Sequence, residues 1–313
     1  MTITTKSNID CLLCHGPLQW WGSATDWEYF TSNEKFDYYQ CTKCKSIFLP
    51  SFQSLKLDII YPNHYYSFQR QPDNFIFSAK KWFDKQYFKK VLRRLPGKKL
   101  TVLDIGGGNG EMAGQIRKID DRVHQTTIID INEQSGAIAS ASGHEFILSK
   151  VEDFTTTKQY DFILLFNLIE HVADPKRLIQ NICSWLTPTG ICLLKTPNAD
   201  SWDARIFRHS YWGGLHTPRH WTIFSESGFM NLVKELPLTA RIRYTQGAPF
   251  WTYSLLVKFF GKQLLQEKKP LIQHPLFPFF SACFAVFDMA RKPFAKTSQF
   301  FIELRRNDPL YVQ

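Results

Sequence analysis

TVLDIGGGNG, residues 101–110, is an apolar run that carries an acid near its end and then breaks into four glycines within five residues. A helix-like stretch, EMAGQIRK, follows at 111–118. A β-branched strand that passes through a glycine-rich turn into a helix brings backbone N–H groups and a helix N-terminus to one point. Glycine is needed there because a side chain would hold a ligand away from the backbone. The stretch therefore predicts a ligand-binding turn.

Two kinds of cofactor site use such a turn. Residues 108–113 satisfy the dinucleotide pattern G-x-G-x-x-G/A, which is weak evidence when it stands alone. The alternative frame is D-x-G-x-G-x-G beginning at Asp104, whose carboxylate suits a ligand with an ammonium group better than a pyrophosphate. Asp130 ends a second β-like run and can accept hydrogen bonds from ribose hydroxyls in either class. The second frame resembles motif I of class I S-adenosylmethionine (SAM) methyltransferases.

The chain from Leu100 to residue 196 alternates short apolar runs with helix-like segments. Such alternation predicts parallel βαβ units with helices on both faces of one sheet, which is an α/β fold. The resemblance implies the Rossmann-like class I methyltransferase form of that fold. Polar candidates follow the predicted strands, and ligands in such folds bind at the carboxyl ends of the strands.

Two further segments extend the resemblance. YDFILLFNLIEHV at 160–172 resembles motif IV, and FILSKVED at 146–153 resembles the loop over the adenine. Lys150 stands where the family usually has an aspartate, so we expect the adenine to be bound by backbone groups around Val151 and Glu152 instead, because lysine has no acceptor. The resemblance implies SAM as cofactor, with Asp104 on the methionine ammonium and Asp130 on the ribose. The full implied cofactor set is Asp104, Gly106, Gly107, Gly108, Gly110, Asp130, Ile131, Val151, Glu152, Asn167 and Leu168.

The N-terminal segment carries two CxxC pairs separated by 26 residues. Paired knuckles present four thiolates to one tetrahedral Zn²⁺ and leave no open position, so Cys11, Cys14, Cys41 and Cys44 predict a structural zinc ribbon. A redox CxxC is the alternative, but it does not explain the pairing. The other three cysteines, Cys183, Cys192 and Cys283, lie in apolar runs and are predicted to be buried.

The net charge is +10, and residues 65–100 hold ten Lys/Arg against two Asp. Residues 75–95 place aromatic residues at near-helical spacing between lysines and arginines, which predicts a basic amphipathic helix. We expect its aromatic face to pack on the sheet. The alternative is a functional one, in which its basic residues attract the helix to an anionic surface. The N-terminus, MTITTKSNID, has no apolar signal segment, and the paired cysteines fit a reducing cytoplasm.

Histidine supplies the predicted catalytic base, because methyl transfer to oxygen requires a proton to be removed and imidazole titrates near neutral pH. His171 ends the motif IV segment, and His220 lies in an aromatic, histidine-rich loop after the fifth strand. The alternative is a structural role, in which the loop is packed and its histidines are hydrogen-bonded. Ser225 is expected to cap a helix that follows the loop.

The runs 241–245 and 298–304 are predicted as strands six and seven, and the resemblance implies only a short hairpin between them. Two apolar segments, 250–265 and 275–289, lie there instead. Each is too short to span a bilayer. The domains are predicted as zinc ribbon 1–60, connector and basic helix 61–99, SAM-binding core 100–248, apolar helical insertion 249–296, and last strand and tail 297–313.

These features predict a cytoplasmic, SAM-dependent O-methyltransferase for a hydrophobic or lipid-linked small molecule. The insertion is compatible with peripheral contact at the inner face of a membrane or with a homo-oligomer. Nucleic acid is disfavoured because the aromatic residues of the basic segment form a helical stripe. The alternatives are methylation of a nucleotide-linked sugar or RNA, and a non-catalytic SAM-binding scaffold.

Overall fold

The structure is a computed structural model that describes residues 10–61, 75–267 and 269–307. Its strands are β1 Leu18–Ala24, β2 Phe36–Cys41, β3 Ile47–Phe48, β4 Leu100–Ile105, β5 Val123–Asp130, β6 Glu145–Leu148, β7 Tyr160–Phe166, β8 Leu186–Pro197, β9 Thr222–Ile223, β10 Leu238–Thr245 and β11 Gln299–Arg306. Its helices are α1 Leu57–Ile60, α2 Phe75–Leu92, α3 Glu111–Ile119, α4 Glu133–Ala141, α5 Pro175–Trp185, α6 Trp202–Ile206, α7 Glu226–Val233, α8 Ala248–Glu267 and α9 Phe277–Arg291.

The chain divides into two compact units. Unit 1 comprises Met1–Ile60, Pro197–Leu232 and Tyr244–Phe300, and unit 2 comprises Tyr61–Thr196, Val233–Arg243 and Phe301–Gln313. The five-segment division made from the sequence stays a prediction. Residues 62–74 of its connector and 308–313 of its tail lie outside the described residues.

Unit 2 is built on a seven-stranded sheet with the order β10-β11-β8-β7-β4-β5-β6. The pairs β4–β5, β4–β7, β5–β6 and β7–β8 are parallel. The central strands β4 and β7 are almost wholly buried, which explains why they read as continuous apolar runs rather than alternating ones. The predicted Rossmann-like α/β fold is confirmed.

Helix α2 covers this sheet with an apolar face. Phe88, Val91 and Leu92 are buried, and the ring of Phe88 lies 6.5 Å from that of Phe162 on β7. Lys89 and Lys90 on the same turn are exposed. Over its described side chains the helix therefore has the predicted amphipathic arrangement.

Unit 1 contains a four-stranded sheet with the order β1-β2-β3-β9. The first three strands belong to the cysteine-bearing segment, and Ile47 on β3 pairs antiparallel with Ile223 on β9. Ser225 caps the following helix, because its side chain accepts from the N–H of Gly228 at 2.9 Å. The predicted cap is confirmed, and a strand from the histidine-rich loop completes the ribbon sheet.

The predicted apolar insertion forms two helices, α8 and α9, that pack on each other. Trp251 stacks on Phe284 at 5.2 Å between ring centroids, and Thr252 contacts Ser281 through their hydroxyl oxygens at 3.2 Å. Cys283, which the apolar sequence predicted to be buried, is exposed because it lies on the outer face of α9. No helix among the described residues combines the length and the hydropathy needed to cross a bilayer.

Candidate functional site

Strand β4 places Asp104 at the carboxyl edge of the sheet. Asp104 is opposite Ile128 on β5 and Leu164 on β7, and only 4% of it is exposed. The N–H of Gly106 donates to the Ile129 carbonyl at 2.8 Å, and the chain then turns into α3. Ligands of parallel α/β sheets bind at this edge. The structure thus brings the predicted turn and its acid to the expected position.

The turn requires its glycines for two different reasons. Gly106, Gly108 and Gly110 have φ angles of 71°, 52° and 78°, which side chains disfavour. At Gly107 space is the constraint, because a Cβ there would lie 2.6 Å from the carboxyl carbon of Asp104. At these positions the chain can therefore turn tightly beside the acid, and Gly107 leaves room for the carboxyl group of Asp104.

The carboxyl group of Asp104 is poised for a cationic ligand. Burial raises the pKa of Asp104 to about 7, and the nearby Asp130 adds to the effect. Its Oδ2 is buried and has no hydrogen-bond partner among the described residues. A buried acceptor without a partner is costly, and an ammonium group would satisfy it.

Asp130 braces the turn in addition to facing the site. Its Oδ2 accepts from the N–H of Gly108 at 2.8 Å, and its Oδ1 accepts from the N–H of Asn132 at 2.9 Å. Burial raises the pKa of Asp130, although these N–H donors oppose the shift. Each carboxylate oxygen keeps a second lone pair, so ribose hydroxyls can still donate to them.

The remaining predicted cofactor residues lie on three loops of unit 2, which follow β5, β6 and β7. The N–H of Ser149 donates to the Asp130 carbonyl at 3.0 Å, so the loop carrying Val151 and Glu152 starts beside Asp130. Val151 is buried and Glu152 is half-buried, whereas Ile131 is 46% exposed.

Asn167 and Leu168 follow β7 at the same edge of the sheet. Asn167 has a φ of 51°, and its Oδ1 is buried with no hydrogen-bond partner among the described residues. Leu168 contacts the turn, since a Cβ added to Gly106 would lie 3.2 Å from its Cδ1. Asp104 and Asn167 thus offer two buried, partnerless oxygens, which fits the polar SAM molecule with its ammonium and hydroxyl donors.

His171 ends a 3-10 turn after β7 in unit 2. Its Nδ1 lies 2.8 Å from the Tyr61 hydroxyl oxygen, which orients the ring. The preceding Glu170 is fully buried, and burial raises the pKa of its carboxyl to about 8, although Thr196 donates to it at 2.9 Å. Glu170 is therefore largely protonated at neutral pH.

His220 lies in unit 1 and is 5% exposed. Its Nδ1 lies 2.8 Å from the Gly214 carbonyl oxygen. Because a carbonyl can only accept, this contact assigns the hydrogen to Nδ1 and leaves the lone pair of the neutral ring on Nε2. His220 therefore has the tautomer that a base needs.

Most other polar side chains of the histidine-rich loop bind the segment between the CxxC pairs. His216 contacts Glu28 at 2.8 Å through Nδ1, and the Tyr211 hydroxyl donates to the same carboxylate at 2.6 Å. Arg219 forms a fully buried ion pair with Asp26 at 3.0 Å. The structure therefore shows a structural, packed role for these loop residues.

The four predicted metal ligands form one cluster in unit 1. Their sulfur atoms all lie within 4.8 Å of one another, with Cys11–Cys44 at 3.6 Å and Cys14–Cys41 at 3.4 Å. A tetrahedral zinc site with Zn–S bonds of about 2.3 Å requires sulfur separations of about 3.8 Å. Backbone N–H groups of Leu13 and Cys44 point at Cys11 and Cys41 sulfurs at 3.4 Å, which stabilises thiolates. The cluster therefore fits zinc.

The partners of this loop are not among the predicted site residues. Asp26 and Glu28 flank Trp27 in an aromatic segment, and acids among aromatic residues are a signal that they will be buried with a partner. No pattern in the sequence links them to residues almost two hundred positions later. No sequence pattern indicates the contact of Tyr61 with His171 or the burial of Glu170 beside Thr196.

Parts of the chain are similar to known proteins. Residues 79–240, just over half of the chain, match the family described as a methyltransferase domain. A tRNA 5-carboxymethoxyuridine methyltransferase of Escherichia coli K12 is 33% identical over 120 residues, which cover 35% of this chain and 45% of that protein. A ubiquinone biosynthesis O-methyltransferase of Rickettsia canadensis is 29% identical over 103 residues, covering 32% and 44%. The chain thus spans less than half the length of these curated relatives. Among solved structures, the plantazolicin methyltransferase BpumL in complex with SAH aligns with a TM-score of 0.47 at 17% identity, covering 77% of this chain and 93% of that one.

Proposed function

The chain belongs to the methyltransferase-domain family, and we propose that it transfers the methyl group of SAM to a hydroxyl or phenol oxygen of a hydrophobic or lipid-linked small molecule. The cytoplasmic location inferred from the cysteines is part of the same proposal. The exposed apolar face of α9 is the observation that supports a hydrophobic acceptor.

SAM supplies an electrophilic methyl carbon, and the chain has to hold the cofactor and remove a proton from the acceptor. Asp104 is proposed to bind the methionine ammonium, because its carboxyl is buried beside the glycine turn with one partnerless oxygen. Asp130 is proposed to bind the ribose with the second lone pairs of its oxygens. The backbone around Val151 and Glu152 is proposed to bind the adenine.

His220 and His171 are the two proposed bases. The hydrogen bond from Nδ1 of His220 to the Gly214 carbonyl favours His220, because Nε2 is then the basic atom of the neutral ring. The contact of His171 with the Tyr61 hydroxyl leaves both of its tautomers open, since a hydroxyl can donate or accept. His220→Asn should lower kcat far more than it lowers SAM affinity. His216→Asn is the control for loop packing: it disturbs the same loop but leaves the proposed base in place, so kcat should fall much less.

The acceptor proposal rests on the outer face of α9. Its exposed side chains cover about half of the helix circumference at 100° per residue, and none of them is charged. They include Phe279 at 62% exposure, Val286 at 69% and Met289 at 60%. The one acid of the helix, Asp288, is buried and accepts from the N–H of Gly247 at 2.8 Å. A face of this breadth suits an alkyl chain or the apolar layer of a lipid.

A series of 4-alkylcatechols of increasing chain length tests the acceptor class. Burying each methylene on an apolar face contributes about 0.8 kcal/mol, so kcat/KM should rise roughly fourfold per carbon until the face is covered. Phe279→Ser with Val286→Ser should flatten the series without changing SAM affinity. Ile138→Ser is the matched control, because Ile138 is 53% exposed on α4 of unit 2. Rates that do not depend on chain length would contradict the proposal.

Membrane contact and dimerisation remain proposals for the same face. Liposome binding that falls in the Phe279→Ser, Val286→Ser variant at unchanged sedimentation mass would support a membrane surface. A dimer that dissociates in this variant, with turnover of a short soluble catechol unchanged, would assign the face to a second copy.

RNA is the second candidate acceptor. The basic stretch 65–100 and the tRNA methyltransferase relative favour it. Against it, Phe88 of α2 is 1% exposed and cannot stack on a base. Transfer RNA binding that weakens steeply between 50 and 200 mM salt would revive it. If the protein methylates a nucleotide-linked sugar, that sugar would be the acceptor instead. If SAM stays intact with every one of these acceptors, the protein would be a non-catalytic SAM-binding scaffold.

We also propose one structural Zn²⁺ on the four-cysteine cluster. The backbone N–H groups of Leu13 and Cys44 that point at the Cys11 and Cys41 sulfurs favour the thiolates that such a site requires. Four sulfur ligands leave no open position, so the ion would hold the ribbon together and take no part in methyl transfer.

A further inference from the structure

We propose that a pocket in unit 1 binds an anionic phosphate group. The pocket has a volume of about 400 Å³ and is formed by three separate parts of the chain. The ribbon strands contribute Trp21 and Gln40, the turn after the second CxxC pair contributes Lys45, and the segment 199–209 contributes Arg205 and Arg208. This site is distinct from the SAM turn, which belongs to unit 2.

The charge of the pocket is strongly positive. Lys45, Arg205 and Arg208 are cationic side chains, and His209 adds a fourth basic group. The only acid in the lining is Asp200, whose carboxylate is already paired with Lys296 at 3.0 Å. Within the described residues, neither Lys45 nor Arg205 has a carboxylate partner. The cations therefore face the pocket without neutralisation.

Arg208 is held in place before any ligand arrives. Its Nε donates to the Trp21 carbonyl at 2.6 Å, and its Nη2 donates to the Trp20 carbonyl at 3.3 Å. Strand β1 has a bulge between Trp20 and Gly22, which turns carbonyl groups out of the ladder. Gly22 allows the close approach, because a Cβ there would lie 2.8 Å from the Arg208 carbonyl oxygen. The two N–H bonds of Nη1 remain for a ligand.

Lys45 is held by the cysteine knuckle. Its backbone adopts a left-handed conformation with a φ of 67°, its N–H donates to the Cys41 carbonyl at 3.0 Å, and its carbonyl accepts from the Gln40 side chain at 2.9 Å. The turn that positions the metal ligands thus also positions a pocket cation. We expect loss of metal to weaken anion binding as well.

A phosphate group fits these cations best. Guanidinium groups bind phosphate oxygens through paired N–H bonds, and an ammonium group adds a point charge from another side. Pockets of 300–1,000 Å³ accommodate whole small ligands, so a phosphate together with part of an attached group has room here.

Isothermal titration of the full-length chain with inorganic pyrophosphate tests the site. Wild-type protein should bind one pyrophosphate per chain with a Kd below 1 mM in low salt. Arg205→Gln and Lys45→Gln should each raise that Kd at least fivefold, and Arg208→Gln at least tenfold. Lys118→Gln, which removes one exposed charge from unit 2, should change it less than twofold.

SAM affinity should stay unchanged in all four variants, which separates this inference from the proposed methyl transfer. The side chain of Arg205 forms no hydrogen bond among the described residues, so Arg205→Gln keeps the test valid if Arg208→Gln fails to fold. Tighter binding of uridine diphosphate than of pyrophosphate would identify an organic phosphate as the ligand, and equal binding would identify the free anion. No binding of either probe, or equal weakening in Lys118→Gln, would overturn the proposal.

Discussion

The affinity for SAM should depend on pH through Asp104. Burial and the nearby Asp130 raise the pKa of Asp104 to about 7 in the free protein, whereas the cationic ammonium of SAM requires the ionised carboxylate. With this pKa, the ionised fraction is about 0.09 at pH 6.0 and about 0.76 at pH 7.5. The ammonium of SAM is almost fully protonated at pH 6.0 and about two-thirds protonated at pH 7.5, because α-amino groups titrate near 7.8. The two titrations together mean that SAM should bind roughly sixfold more tightly at pH 7.5 than at pH 6.0.

The raised pKa of Asp104 also determines how the stability of the protein changes with pH. The unfolded pKa of an aspartate is about 3.9, so the protonated, buried Asp104 contributes stability that is full below about pH 4 and is lost as pH rises through about 7. An ammonium partner restores stability to the ionised form. SAM should raise Tm more at pH 7.5 than at pH 6.0.

Calorimetry in buffers of different ionisation enthalpy measures both quantities. SAM binding at pH 6.0 should release close to one proton, and Asp104→Asn should bind weakly with a flat pH profile. Glu170→Gln is the matched control, because Glu170 is also buried and its pKa is raised to about 8. Affinity that is flat between pH 6.0 and 7.5 in the wild type, or pH dependence retained in Asp104→Asn, would refute the assignment.

Three further predictions follow from separate contacts. Gly107→Ala should weaken SAM binding at least tenfold in calorimetry, because its Cβ would lie 2.6 Å from the Asp104 carboxyl carbon. Asp26→Asn should lower the free energy of unfolding by about 3–5 kcal/mol in urea titration, because it leaves the buried Arg219 without its ion-pair partner. Metal analysis should find about one zinc per chain, and chelation should make the ribbon sensitive to protease before unit 2. A disulfide between Cys11 and Cys14 in reduced protein would exclude the metal.

Much of unit 2 was predictable because its signals are local. The strand, turn and helix around Asp104 follow one another directly, and the glycines can serve only a tight turn or a close approach. The apolar runs of β4 and β7 are continuous because both strands are buried on both faces. The two insertion helices were also predicted, within a few residues of their observed ends.

Unit 1 was harder because its contacts join distant residues. Asp26 and Arg219 are 193 positions apart, and only the fold shows that they pair. The exposure of Cys283 could not be read from its apolar neighbours, because a helix can present an apolar face to solvent as well as to the core. Phe284 belongs to the same run, yet it stacks on Trp251, so Phe279 and Val286 are the better probes of the outer face.

Equilibrium dialysis with methyl-tritiated SAM tests the central claim most directly. Wild-type protein should bind one SAM per chain, and a large excess of NADH should not displace it, because Asp104 favours an ammonium over a pyrophosphate. Asp104→Ala should abolish the binding. Displacement of SAM by NADH, or full SAM binding in Asp104→Ala, would show that the glycine turn serves a different cofactor.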